Sequence, residues 1–148
     1  MERVHEAVAV VATIDPDAYA HSATAYLTDA IDCSDFDQLL FIVMAGEMGA
    51  TSTIDFKITA SATESGTYND TGLTGGAITQ LTGVDDDKQV LVSLDVSKVL
   101  AQSKRYVKGE LTCGTADSDA GVIVLGYRPH YGPATAYDLS SVDEIKVV

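Results

Sequence analysis

Three histidines, two cysteines, a run of three aspartates and one basic cluster are the residues in this chain whose types could do chemistry. His5, His21 and His130 stand far apart, in none of the HExxH-like spacings that put two imidazoles on one metal ion. No cysteine lies at a zinc-site interval from any of them, so each reads as a structural or surface residue. Cys33 and Cys113 make no CxxC motif and read as two buried thiols, with a disulfide between them left open. Asp85, Asp86 and Asp87 would offer a hard cation its oxygen ligands. The run lacks both the DxDxDG spacing and the distal bidentate Glu of a calcium loop, so it reads as a solvated acidic turn, with a weak cation site as the alternative. Asp15, Asp17, Asp35 and Asp37 read as turn and cap residues, and no GxSxG elbow occurs. With no nucleophile, base or metal constellation, the expectation is a protein that is not an enzyme and uses no cofactor.

Lys104, Arg105 and Tyr106 form the basic cluster of an otherwise acidic chain. One reading pairs the cations with nearby acids at the start of a strand. The other makes Arg105 and Tyr106 subunit contacts, because arginine and tyrosine are favoured interface anchors. Tyr127, Arg128, His130 and Tyr131 make a comparable aromatic and basic group, and the chain then ends on apolar Ile145, Val147 and Val148. These residues are the candidate interface: Arg105, Tyr106, Tyr127, Arg128, His130, Tyr131, Ile145 and Val147.

The chain of 148 residues is long enough for one domain that buries roughly two-thirds of its unfolded surface. Lys and Arg number 9 against 22 Asp and Glu, a formal charge of -13. Such a field repels phosphates, which argues against direct nucleic-acid binding. The N-terminus does not read as a signal peptide, and no apolar run reaches the roughly 20 residues a bilayer needs.

Residues 36–62 are the block that the remainder must be arranged around. They hold the longest apolar run, 39–45, a connection punctuated by Gly46 and Gly49, and a strand with Ile54, Phe56, Ile58 and Ala60 on one face. The spacing predicts an antiparallel pair at the centre of a β-domain, with Phe41, Val43, Phe56 and Ile58 as packing residues. Residues 4–14 give a first strand ended by a turn at Asp15, Pro16 and Asp17, and 24–31 a second strand, followed by a turn over 32–35. A polar loop over 63–70, a short edge strand over 77–81 and an acidic loop over 83–88 come next. Residues 89–96 alternate, with Val90, Val92 and Leu94 on one face. Residues 97–103 suit one helical turn capped by Ser97, and 105–113 and 121–128 are two more strands. The expected fold is therefore all-β, an antiparallel β-sandwich or jelly roll in a single domain over 1–148. Its parts are an N-terminal strand or arm over 1–20, a core over 21–128 and a C-terminal arm over 129–148.

The phrase IDCSDFDQLLFIVMAGEMGATSTIDFKITASATESGTYNDTG, followed later by SKRYVKGELTCGTADSDAGVIVLGYRP, resembles the capsid decoration, or cement, proteins of tailed bacteriophages. The matching residues are Ile31 and Asp32, Phe36 and Asp37, the stretch 54–68, then Lys104, Arg105, Tyr106 and Val107, and the stretch 122–129. The resemblance spans 30–129 and lies in the order and spacing of weak pieces. It implies a non-catalytic virion protein, made in the host cytoplasm, that sits on the outer capsid surface. Its implied partners are the major capsid protein and further copies of itself, as a homotrimer, with no membrane and no direct nucleic acid. An acidic surface suits the outside of a head better than a lumen full of phosphate. Two other classes compete. One is a carbohydrate-binding or adhesion module with a loop site at Thr67, Tyr68, Asn69 and Asp70, disfavoured by the absence of Trp. The other is a different virion part, a head fibre or tail tube.

Overall fold

The computed structural model describes residues 3–22, 24–69, 73 and 75–147. Val, Ile and Thr dominate the ordered segments, and their branched side chains favour the pleated backbone. In chain order the strands are β1 (Val8–Tyr19), β2 (Tyr26–Leu27), β3 (Ile31–Asp32), β4 (Phe36–Met48), β5 (Thr53–Ser61), β6 (Leu81–Thr82), β7 (Gln89–Asp95), β8 (Tyr106–Gly114) and β9 (Ser118–Pro129). Two antiparallel sheets result. The first has the order β1-β9-β4-β7, and the second runs β2-β8-β5-β6 with β3 also on β8. They pack face to face, so the expected all-β sandwich is the fold.

The central block is not a hairpin. β4 pairs with β7 and β9, while β5 pairs with β6 and β8, so the two segments belong to different sheets. Their inner faces meet across the core instead, with the Phe41 and Phe56 rings 5.9 Å apart. Period-two alternation says which face of a strand is buried, not which neighbour it bonds to, so the expected edge-to-edge partner is in fact a face-to-face one. Phe41, Val43, Phe56 and Ile58 are all core residues as expected.

Four other boundaries move. Residues Val4–Ala7 form a short helix, α1, and β1 continues through Pro16 to Tyr19 rather than turning there. Proline is tolerated because β1 is an edge strand and its register shifts between Ile14 and Asp17. The expected strand over 24–31 is reduced to the two-residue β2, and the one over 77–81 to a bridge at Ala77 followed by β6. A five-residue helix, α2 (Val96–Leu100), is capped by Asp95, whose carboxylate accepts from the Ser97 N–H, so Ser97 lies inside the helix that it was expected to cap.

Neither terminus is a free arm over its whole length. β1 is an integral strand of the first sheet, and the chain after Pro129 folds back as a 3-10 turn, Ala134–Tyr137. Ala134 is fully buried and Tyr137 meets Phe36 edge-on at 5.1 Å. Asp138 accepts from the Val10 N–H at 2.7 Å, and the Leu139 N–H donates to the Val10 carbonyl at 2.9 Å. The tail therefore satisfies backbone groups that the edge strand β1 would leave open. Val148 lies outside the described residues.

Candidate docking surface

Most of the polar residues singled out above are occupied within the chain. The Arg105 guanidinium makes three hydrogen bonds to the Asp32 carboxylate, the shortest 2.5 Å, and lies 5.4 Å from the Tyr106 ring. Burial pushes Asp32 up, but the bonds from Arg105 and from the Ser34 N–H and hydroxyl outweigh it, and the carboxyl sits below its usual range. Arg105 is thus the intrachain partner of an acid, and this contact closes β3 onto β8. The imidazole of His130 bridges the Ser34 carbonyl at 2.7 Å and Asp37 at 2.9 Å, which pins the start of the tail to the entry of β4. His21 faces Asp117 at 3.3 Å.

The acidic turn uses its carboxylates on its own loop. Asp85 accepts from the Thr82 N–H and hydroxyl and from Lys88, which together hold its carboxyl down at about 2, with Lys88 the main cause. Asp86 accepts from the Met48 N–H. Among the described residues no group of His, Cys, Asp and Glu is placed to hold a metal ion. Cys33 and Cys113 are free, buried thiols, and burial, with Asp32 adding to it, pushes Cys33 up to about 12. Tyr68 donates to the Glu64 carbonyl, and the Lys108 ammonium covers its ring at 4.7 Å, so it is no open platform for a sugar. Asp70 of that loop lies outside the described residues.

What remains open is the outer face of the first sheet, where register arranges the outward side chains in rows across the strands. Val10, Leu125, Leu40 and Ser93 make one row, and Thr13, Ile123, Ile42 and Leu91 the next. Neither row contains a charge, and Leu91 is 64% exposed. At one end the next row is Val8, Tyr127, Gln38 and Asp95, with the Arg128 guanidinium stacked 5.3 Å from the Tyr127 ring. At the other end, past Met44 and Gly121, lies an open recess of about 480 Å³ whose wall carries Asp17, Asp87 and Asp119. Gly121 lets the strands come close there, since a Cβ on it would sit 3.1 Å from the Pro16 Cα.

Of the candidate interface residues, the structure gathers only Tyr127 and Arg128 onto this surface. Tyr131, 75% exposed, and Ile145 and Val147 stand free on the tail. The sequence reading missed Leu40, Ile42, Leu91, Ile123 and Leu125. For all but Leu91 the signal was visible: 39–45 and 122–125 are apolar at every position, whereas a strand with one wet face alternates. No protein-family model matches the chain, and no curated protein is significantly similar to it.

Proposed function

We propose that the protein is a non-catalytic structural component of a tailed-phage virion that binds the outer surface of the head and stabilises its lattice. The observation that carries this reading is that three of the four separated stretches behind the family resemblance converge on one corner of the sandwich. Asp32 from the first stretch holds Arg105 from the third. Phe36 lies against Gly126 of the fourth, where a Cβ would come 2.6 Å from its ring, and Asp37 bonds His130 just beyond that stretch. Pieces of one fold signature have to meet in space, and these do, which supports carrying over the role that the resemblance implies.

The corner residues then set the fold, and attachment falls to surfaces that the domain leaves free. Tyr131, Ile145 and Val147 are exposed, which makes them the candidates for contact with a major capsid protein. Cosedimentation with expanded shells of the co-encoded capsid protein tests the reading. Saturable binding that is lost on truncation after Ser140 is expected. Failure of the intact protein to bind such shells, with gold label absent from intact particles, would overturn it.

A further inference from the structure

The outer face of the first sheet has the layout of a self-complementary interface. Its two middle rows are uncharged, so in a chain with net charge -13 the centre of this face can meet a second copy of itself without setting acid on acid. Along β9 the two ends are opposite in sign, while Asp95 closes the Tyr127 row at its β7 end. The Tyr127 and Arg128 pair projects at one end of β9, and the acidic recess beside Gly121 lies at the other end of the same strand. Tyr127 lies six residue steps along the strand from Gly121, about 20 Å at strand rise.

From this we propose that a second copy of the chain covers the face, related by a twofold axis that lies between the sheets and crosses the strands at right angles. That axis places β9 over β9 with reversed direction. Arg128 of each copy then enters the other's recess and faces Asp17, Asp87 and Asp119, while Leu40, Ile42, Leu91, Ile123 and Leu125 pack in the middle. A twofold parallel to the strands would instead set acidic recess on acidic recess, which like-charge repulsion disfavours. Four strands about 4.8 Å apart and about 30 Å of length give about 570 Å² per copy, so about 1,100 Å² in all, close to the lower bound for a specific interface. The contact is isologous, so it builds a dimer and not the trimer that the family resemblance implies. It does not depend on the proposed function.

Sedimentation equilibrium tests the pairing. The unaltered protein should be a dimer. Arg128→Asp and Asp119→Lys should each weaken association by about 10-fold or more, as removal of a close interfacial charge pair does. Aspartate suits position 128 because the backbone there has φ 53, a region that Asp tolerates. Mixing the two variants restores both contacts. The native Asp119 of an Arg128→Asp copy meets the native Arg128 of an Asp119→Lys copy, and at the other end the two substituted positions meet with their charges exchanged. The mixture should therefore form heterodimers more tightly than either variant pairs with itself. That rescue is readable even if each variant alone is monomeric, and circular dichroism confirms that both are folded. A monomeric or trimeric parent protein, variants that associate as well as the parent, or a mixture no tighter than its components would overturn the proposal.

Discussion

The two sheets share one core and differ on their outer faces. On the second sheet the outward residues of β5 and β8 are Asp55, Lys57, Lys108, Glu110 and Thr112, and Lys57 stands directly opposite Glu110 with their charges 3.4 Å apart. On the first sheet the corresponding positions of β4 and β9 are Leu40, Ile42, Ile123 and Leu125. A face bound for water needs no aliphatic rows, and a face made of them loses favourable burial until something covers it. The contrast sets the outer face of the first sheet apart by its surplus of apolar side chains. It also assigns roles within one strand: the odd-numbered residues of β4 from Leu39 to Val43 build the domain, and the even-numbered ones from Leu40 to Met44 are available to a partner.

If the sheets differ only outside, substitutions inside should cost the same from either side. Phe41 and Phe56 are both buried and touch each other, one from each sheet. Phe41→Ala and Phe56→Ala are each expected to lose roughly 3 to 5 kcal/mol in a urea titration, and the double variant less than the sum because the two share a cavity. A cost below about 1 kcal/mol for one of them would show that its sheet contributes little to the core. The comparison would then have to be redrawn from the inside out.

Outside, the response should split. Lys57→Ala removes one half of a part-exposed cross-strand pair, so the expected loss is about 0.2 to 1 kcal/mol, shrinking as salt screens it. Ile42→Thr on the other sheet keeps a β-branched residue, and its cost to the folded single copy should be no larger and indifferent to salt. Denaturant midpoints of both variants at low and high salt, taken at dilute protein, read this directly. A salt-dependent loss at Ile42 or a salt-independent one at Lys57 would mean that the two faces have been assigned the wrong character.

How much of this was legible in the sequence follows from what each signal encodes. The alternation of 53–58 and 89–95 reported the buried faces correctly, because side-chain direction is a property of a single strand, whereas Thr59 and Ser61, on the polar side of β5, are buried as well. Pairing is a property of two strands, and nothing in Phe36 to Ser61 states that their partners are β9 and β8 rather than each other. Pro16 looked like a stop because its ring removes a donor, yet an edge strand with a bulge has a place for a missing donor. The return of the tail rests on single contacts, Asp138 to Val10 and Tyr137 to Phe36, which are 128 and 101 residues apart and leave no periodic trace. At the surface, Arg105 and His130 drew attention as charged residues in an interface-like composition, but composition does not reveal whether Asp32 or Asp37 already holds them.

The smallest expected effect concerns the end of the apolar face nearest Arg128, where one titrating group lies two residues along the chain. His130 Nδ1 faces the Ser34 carbonyl and Nε2 faces the Asp37 carboxylate, two acceptors, so only the doubly protonated ring donates to both. The Asp37 bond first and the Ser34 bond second raise the pKa above the ordinary 6.5, against a weaker downward pull from burial. A raised pKa means that the contact stabilises fully below pH 6.5 and is lost as pH climbs through the folded-state value. The strands of the second sheet carry no histidine, so this dependence should be confined to the first sheet's end. The stability gap between the parent protein and His130→Leu is therefore expected to be widest near pH 6 and to narrow toward pH 9, with amide exchange at His130, whose N–H donates to the Asp35 carbonyl, accelerating over the same range beyond its intrinsic rise. A gap that stays constant with pH would mean that the ring holds the corner by packing alone, and the two ends of the apolar face would then differ in fixed charge and not in how firmly they are held.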